Sequence, residues 1–148
     1  MRLNEGQTGA CHAGGEDIVY PEINTCMTLT VVYKDPAYVI GGHFSRPVSG
    51  MKSVAPLQVV QNMRSKQALI GTVSAIYLIG ARNVWDSTAI APIYGFVGEL
   101  DPDFEKMHEF DTTTWNSVNI TFGYLGDIVV APTASGRVGN GQPPARWS

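Results

Sequence analysis

The sequence predicts a small α+β domain, a mostly antiparallel β-sandwich with two or three flanking helices. The chain has 148 residues, of which 44% are hydrophobic and 16% charged, and these values are typical of one globular domain. Its 16 Gly and 9 Pro separate many short segments, most of which have strand-like patterns. No GxGxxG or P-loop stands between a strand and a helix, so nothing indicates a parallel doubly wound sheet.

The first half of the chain predicts a β-hairpin followed by a helix. Residues 26–33 alternate between an apolar face and a mixed face, as strands do when one side is buried. Lys34-Asp35-Pro36 is a turn signal, and residues 38–44 are expected to form the returning strand. After Pro56, closely spaced apolar residues with little Gly among them predict a helix to about Ala68.

The second half predicts three further strands and a short helix. Residues 73–79 form an apolar run between two glycines, which is typical of a buried strand. Asp101-Pro102 resembles an N-cap followed by a first-turn proline and predicts a helix over 103–110. Residues 118–124 and 127–131 are expected to be strands joined near Gly126. We expect one domain over residues 1–138 and a flexible tail over 139–148, where breakers dominate.

Charge and hydropathy exclude several classes of function. Ten Lys and Arg against 13 Asp and Glu leave a net charge of −3, which argues against a nucleic-acid partner. No apolar run approaches the length of about 18 residues that a membrane-spanning helix needs, so we expect no membrane insertion. The first residues lack the apolar middle of a secretory signal, which predicts a cytoplasmic protein or an effector delivered without a recognisable signal peptide. The oligomeric state stays open.

The hairpin brings Cys26 and His43 into the same neighbourhood. If the chain turns tightly at Lys34-Asp35, the two residues are directly opposed, with Cβ atoms about 4.5–5.5 Å apart. A four-residue loop makes them diagonal neighbours on one face at about 7–8 Å, and a three-residue loop puts them on opposite faces. A bulge at Gly41-Gly42 could change any of these registers.

A cysteine beside a histidine is a minimal activated nucleophile. The imidazole takes the thiol proton, the thiolate attacks a carbonyl carbon, and the same ring can then protonate a leaving amine. The plain alternative is a buried cysteine acting as a small hydrophobe, with a histidine that satisfies a local hydrogen bond.

The segment YKDPAYVIGGHFSRP and the preceding Cys26 resemble bacterial chemoreceptor glutamine deamidases. In that family a catalytic Cys precedes a strand, and a turn and an Ile-Gly-Gly strand lead to the catalytic His. SAIYLIGARNVW and NITFGYLGDIVVAPTASGRV are similar to later strands of the family, so the resemblance covers about residues 17–138. The same fold carries the catalytic domains of cytotoxic-necrotizing-factor-like deamidase toxins.

The resemblance implies hydrolysis of a protein glutamine side chain to glutamate, with release of ammonia. Cys26 would be the nucleophile and His43 the general base, and backbone N–H groups at Thr25 and Cys26 would hold the oxyanion. Tyr20 stands where the family has a Thr; either its hydroxyl or a backbone carbonyl would orient His43. No metal or organic cofactor is implied, and the partner is a protein that carries the target glutamine. Chemotaxis regulation and attack on host proteins both stay open.

The chain departs from the family pattern in three places. Asn24-Thr25 replace Gly-Ser before the cysteine, Tyr20 replaces the Thr, and His43 follows Gly42 directly. The altered residues before Cys26 favour the alternative of a non-catalytic protein- or ligand-binding module on the same fold, whereas the intact block from Cys26 to His43 favours the enzyme. A third hypothesis is Cys-His hydrolysis of a small amide or thioester.

The remaining cysteine and histidines have plainer interpretations. Cys11-His12 are adjacent, so on a strand their side chains would point apart, and we expect an ordinary loop or edge segment. A disulfide between Cys11 and Cys26 stays open. His108 is expected on a helix surface, and no HxxxH or CxxC spacing predicts a metal site.

Overall fold

Two β-sheets and two α-helices make up the described part of the chain. The structure, a computed structural model, describes residues 1–12, 15–47, 54–67, 71–115, 117–123 and 127–133, together with the backbone of 145–147. The elements are β1 (Thr8–His12), β2 (Ile18–Ile23), β3 (Met27–Lys34), β4 (Tyr38–Phe44), α1 (Pro56–Lys66), β5 (Thr72–Gly80), α2 (Ser87–Leu100), β6 (Met107–Asp111), β7 (Val118–Phe122), β8 (Ile128–Pro132) and β9 (Ala145–Trp147). Short 3₁₀ turns at Arg82–Val84 and Thr113–Trp115 complete them.

The strands form one five-stranded and one four-stranded sheet, ordered β1-β4-β3-β5-β6 and β2-β7-β8-β9. Neighbouring strands are antiparallel, except that β6 runs parallel to β5. One hydrophobic cluster lies between the helices and the five-stranded sheet, and a second lies between the two sheets. The predicted α+β class with mostly antiparallel sheets is therefore confirmed.

The central strand β3 is buried on both faces. Met27, Leu29 and Val31 belong to the cluster under the helices, as the alternating pattern predicted. The intervening Thr28 and Thr30 face the second sheet and are fully buried. Both hydroxyls have partners. Thr28 Oγ1 donates to the carbonyl of Ile79 on the neighbouring strand β5 at 2.7 Å, and Thr30 Oγ1 lies 2.7 Å from the hydroxyl of Tyr20 on the second sheet.

Helix α1 confirms the helix predicted after Pro56 and ends at Lys66, while Ala68, its expected end, lies outside the described residues. The helix buries Val59, Val60 and Met63. Strand β4 lies beneath this helix and has a glycine at the point of contact. A Cβ on Gly42 would lie 2.6 Å from the Met63 sulfur. The absence of a side chain at Gly42 therefore lets α1 lie close to β4.

The helix predicted over 103–110 is wrong. Asp101 follows the last residue of α2, and its carboxylate accepts hydrogen bonds from the backbone N–H groups of Glu105 and Lys106 at 3.2 and 2.8 Å. The chain then enters strand β6, on which His108 stacks against Tyr77 with 5.0 Å between ring centroids. An Asp-Pro pair caps a helix or closes a turn equally well, because in both the carboxylate binds nearby N–H groups.

Helix α2 went unpredicted, since two glycines and a proline interrupt its pattern. Asp86 is its N-cap and accepts from the Ala89 N–H at 2.7 Å. No helix among the described residues is long and apolar enough to cross a membrane.

Strands β5, β7 and β8 confirm the other predicted strands, although residues 124–126, where the last turn was expected, lie outside those described. Of the predicted tail, residues 139–144 and 148 also lie outside the described part of the chain, whereas 145–147 pair with β8 as β9.

Candidate functional site

The β3–β4 hairpin uses a four-residue loop. Thr28 pairs with His43, Met27 with Phe44 and Tyr33 with Tyr38, so the tight-turn register with Cys26 directly opposite His43 is wrong. The stacked rings of Tyr33 and Tyr38, with centroids 4.2 Å apart, form the last pair before the loop. Cys26 immediately precedes β3, and continuing this register makes His43 its diagonal neighbour on the same face, at about 7–8 Å.

The two ring nitrogens of His43 have different surroundings. Its side chain is buried, and Nδ1 lies 2.8 Å from the backbone carbonyl oxygen of Leu3. A carbonyl oxygen only accepts, so Nδ1 carries a proton, and in the neutral ring the lone pair is on Nε2. Among the described residues Nε2 has no hydrogen-bond partner. Burial lowers the pKa of His43, while the Leu3 carbonyl and the charge of Glu5 oppose that shift.

Tyr20 contacts His43 through its ring. The ring centroids lie 6.1 Å apart in an edge arrangement at 79°. The Tyr20 hydroxyl instead bonds with Thr30 Oγ1 and donates to the Leu29 carbonyl at 3.3 Å, and burial raises its pKa. Of the two alternatives for orienting the imidazole, the structure therefore has the backbone carbonyl, and Tyr20 supports the ring by packing.

Cys26 lies beneath Glu5. The thiol is free, only 1% exposed, and donates to Glu5 Oε1 at 3.2 Å. Ser45 Oγ donates to the other oxygen, Oε2, at 3.1 Å. Burial, followed by the hydrogen bond and negative charge of Glu5, raises the pKa of Cys26 to about 12, and the backbone N–H of Arg46 partly opposes this. In this arrangement Cys26 is a protonated thiol.

The turn before Cys26 is held by its own hydrogen bonds. The Thr25 N–H donates to the Asn24 side-chain oxygen at 2.7 Å, and the Thr25 carbonyl accepts from Trp85 Nε1 at 2.8 Å. The Cys26 carbonyl accepts from the Ala81 N–H at 3.0 Å. The predicted oxyanion role of the Thr25 N–H would therefore require it to leave Asn24.

Residues 3–7, which we call the N-terminal strap, supply two of the site's partners. The Leu3 N–H donates to the Val19 carbonyl at 2.8 Å, and the Gly6 N–H donates to the His43 carbonyl at 2.8 Å. The His43 N–H in turn donates to the Gln7 carbonyl at 3.0 Å. These bonds place the Leu3 carbonyl on the imidazole and the Glu5 carboxylate on the thiol.

Sequence reasoning missed Leu3, Glu5 and Ser45. Ser45 could have been found, because it lies two residues after His43 and so shares its face. Leu3 acts through its backbone and Glu5 is 21 residues from Cys26, so no local pattern marks either one.

Cys11 and His12 lie apart from this site on β1, an edge strand, as expected. Both cysteines are free, so no disulfide joins Cys11 to Cys26. Cys11, His12, Glu16 and Tyr77 line a separate cavity of about 200 Å³ between the sheets. The described residues contain no group of three or more His, Cys, Asp and Glu side chains placed to hold a metal ion.

In comparison with known proteins, no family model matches the chain and no curated protein matches it. The resemblance to chemoreceptor deamidases therefore rests on the quoted segments around Cys26 and His43, and the activity it implies is a proposal.

Proposed function

We propose that this chain hydrolyses the side-chain amide of glutamine in a protein substrate, with Cys26 as nucleophile and His43 as general base. The observation that carries the proposal is the state of His43. Its Nδ1 proton is fixed on the Leu3 carbonyl, and its buried Nε2 carries a lone pair on the sheet face that the register extends to Cys26.

The reaction begins when the Cys26 thiol leaves Glu5 and gives its proton to His43 Nε2. The thiolate forms a C–S bond with the carboxamide carbon, and backbone N–H groups hold the resulting oxyanion. Collapse breaks the C–N bond, and the imidazolium protonates the departing ammonia. Water, deprotonated by the same imidazole, then cleaves the thioester to give glutamate and the free thiol. The net reaction consumes one water and releases one ammonia for each glutamine.

The surroundings of His43 allow it both to accept a proton and to donate one. Burial favours the neutral ring, which accepts a proton, while the Leu3 carbonyl and the Glu5 charge favour the imidazolium, which donates one. A base whose neutral and charged forms are both stabilised by neighbours suits a step that takes a proton and a later step that returns it.

A non-catalytic binding module is the second candidate, and the state of Cys26 favours it. A thiol whose pKa is raised to about 12 by burial and by Glu5 is a poor nucleophile near neutral pH. The two candidates differ in whether Cys26 ever becomes covalently linked to a substrate acyl group.

The test uses a panel of synthetic glutamine-containing peptides, with matched asparagine peptides and free glutamine as specificity controls. Ammonia release and the accompanying amide-to-acid mass change are measured for the wild type, Cys26→Ser and Cys11→Ser. We expect release by the wild type and Cys11→Ser, and none by Cys26→Ser. Equal release by Cys26→Ser would exclude the proposed mechanism. Release from free glutamine as fast as from the peptides would indicate a small-amide hydrolase instead.

A further inference from the structure

The carboxylate of Glu5 lies between Cys26 and Ser45. One of its oxygens accepts from the Cys26 thiol at 3.2 Å and the other from Ser45 Oγ at 3.1 Å. The two oxygens of one γ-carboxylate are therefore bound separately, one by the nucleophile and one by a neighbouring hydroxyl. A glutamate side chain with its γ-carboxylate on the nucleophilic sulfur is the expected geometry of a glutamine deamidase with its product.

We propose that Glu5 is an internal product mimic and that the turn at residues 4–6 of the N-terminal strap is an autoinhibitory segment, which must move outward before a glutamine of another protein can bind. This inference rests on the proposed function, since it assigns the site between Cys26 and Ser45 to the γ-carbonyl group of a glutaminyl side chain. It adds a means of regulation to that function.

The position of Glu5 in the strap supports this assignment. Glu5 is exposed at the surface, whereas Cys26 beneath it is 1% exposed. The Gln7 N–H donates to the Asn4 carbonyl at 3.0 Å, so Glu5 and Gly6 are the two central residues of a β-turn. Gly6 has a φ of +79°, which glycine adopts readily. Glu5 therefore reaches the thiol from solvent, from the tip of a tight turn, as an exposed glutamine of another protein would.

Hydrogen bonds to His43 hold the strap over the site. Three hydrogen bonds join the strap to His43. The Gly6 N–H donates to the His43 carbonyl, and the His43 N–H donates to the Gln7 carbonyl. The ring nitrogen Nδ1 donates to the Leu3 carbonyl. Asn4, Glu5 and Gln7 are exposed, and only Leu3 is buried. A partner that pulls the turn outward would remove Glu5 from Cys26 and Ser45 while leaving Leu3 in its place.

The position can be tested by making residue 5 the substrate. In the variant Glu5→Gln, the carboxamide carbon would lie one bond beyond an oxygen that is 3.2 Å from the sulfur. A rotation of the side chain would then bring this carbon to the separation of about 3–3.5 Å from which attack occurs. Cys26 would add to this carbon, ammonia would leave with a proton from His43, and water would release Glu5 and restore the thiol. The product is the wild-type chain, so each molecule turns over once.

The experiment follows the conversion of residue 5 by peptide mass spectrometry in Glu5→Gln and in the double variant Glu5→Gln/Cys26→Ser. Gln7 in the same strap and Gln58 on α1 are internal controls. We expect complete conversion at position 5, none at positions 7 and 58, and none in the double variant. In parallel, Glu5→Ala is expected to release ammonia from the glutamine peptides at least about tenfold faster than the wild type, because no side chain from residue 5 then covers Cys26 and Ser45.

The outcomes separate the two proposals. If the wild type deamidates peptides in a Cys26-dependent way, yet the glutamine introduced at position 5 persists and Glu5→Ala is no faster, the autoinhibitory assignment is overturned and the proposed function stands. If no variant, Glu5→Ala included, releases ammonia from any peptide or converts the introduced glutamine, both are overturned. Conversion at position 5 that also occurs in the double variant is ordinary chemical deamidation and overturns the assignment as well.

Discussion

Replacing Glu5 by Met is expected to make Cys26 markedly more reactive toward iodoacetamide at pH 8. In the wild type, burial and Glu5 raise the pKa of this thiol from about 9 to about 12. That difference is about a thousandfold in the population of thiolate at pH 8. A thiolate of higher pKa is intrinsically more nucleophilic, with a Brønsted coefficient of about 0.4–0.5, which reduces the expected rate difference to about 30–60-fold.

Only part of that difference belongs to Glu5, because burial is the largest cause of the raised pKa. Met keeps about the length of the side chain, removes both the negative charge and the oxygen that accepts the thiol hydrogen bond, and has no amide that Cys26 could hydrolyse. We therefore expect an increase of roughly fivefold to twentyfold in the alkylation rate of Cys26. The assay maps alkylation at each cysteine by mass spectrometry over a short time course.

Cys11 supplies the matched control. It is free and less buried than Cys26, and after burial the charge of Glu16 is the main cause that raises its pKa. Glu16→Gln is therefore expected to accelerate alkylation of Cys11 and leave Cys26 unchanged, the reverse of Glu5→Met. An unchanged Cys26 rate in Glu5→Met, or an equal increase at both cysteines, would refute the reasoning.

Three further predictions concern stability and the surroundings of the imidazole. Burial lowers the pKa of His43, so below about pH 6.5 the unfolded chain binds a proton more readily than the folded chain does. The free energy of unfolding should therefore fall as the pH drops. Urea titrations from pH 8 to 5 measure this change. Gly42→Ala places a Cβ 2.6 Å from the Met63 sulfur and should lower the free energy of unfolding by about 1–3 kcal/mol in the same assay. Tyr20→Phe leaves Thr30 Oγ1 without its partner and should cost about 1–3 kcal/mol, while Cys26-dependent ammonia release persists, because the hydroxyl is not bonded to His43.

Each of these has a result that contradicts it. His43→Gln should flatten the acid limb of the stability profile, and a variant with the wild-type slope would assign that limb to other groups. For Gly42→Ala, Gly95→Ala on α2 is the matched control, because a Cβ there has no atom within 4 Å. Equal effects of the two substitutions would contradict the close approach of α1 to β4. Loss of ammonia release in a folded Tyr20→Phe would show that the hydroxyl takes part in the reaction.

The elements that could be predicted are those whose signal is local. Residues 38–44 of β4 and the helix after Pro56 follow from alternation, turn residues and a proline at a helix start, all of which act over a few positions. The pair Asp101-Pro102 led to the wrong prediction of a helix over 103–110, because the same short-range hydrogen bonds form at a helix N-cap and in a turn. Helix α2 was not predicted because its stability comes from tertiary burial of residues such as Ile93 and Phe96. This burial outweighs the unfavourable proline, Pro92, inside the helix.

The chemistry of the candidate site divides in the same way. The predicted hairpin already placed Cys26 and His43 at its open end, one at the start of the first strand and the other near the end of the second. For each possible register, the sequence interval then states whether the two side chains share a face, because side chains alternate along a strand. Which of the three registers forms was not determined by that interval, since it depends on the loop and on side chains that pair across the strands.

The sequence by itself determined an acidic α+β domain and predicted a hairpin with Cys26 and His43 near its open end. Only the tertiary structure decided the proton positions at that pair. A carbonyl from residue 3 sets the imidazole tautomer, and a carboxylate from residue 5 holds the thiol protonated. Both come from a segment distant along the chain, and hydrogen bonds and charges act across space, so a local pattern contains no record of them.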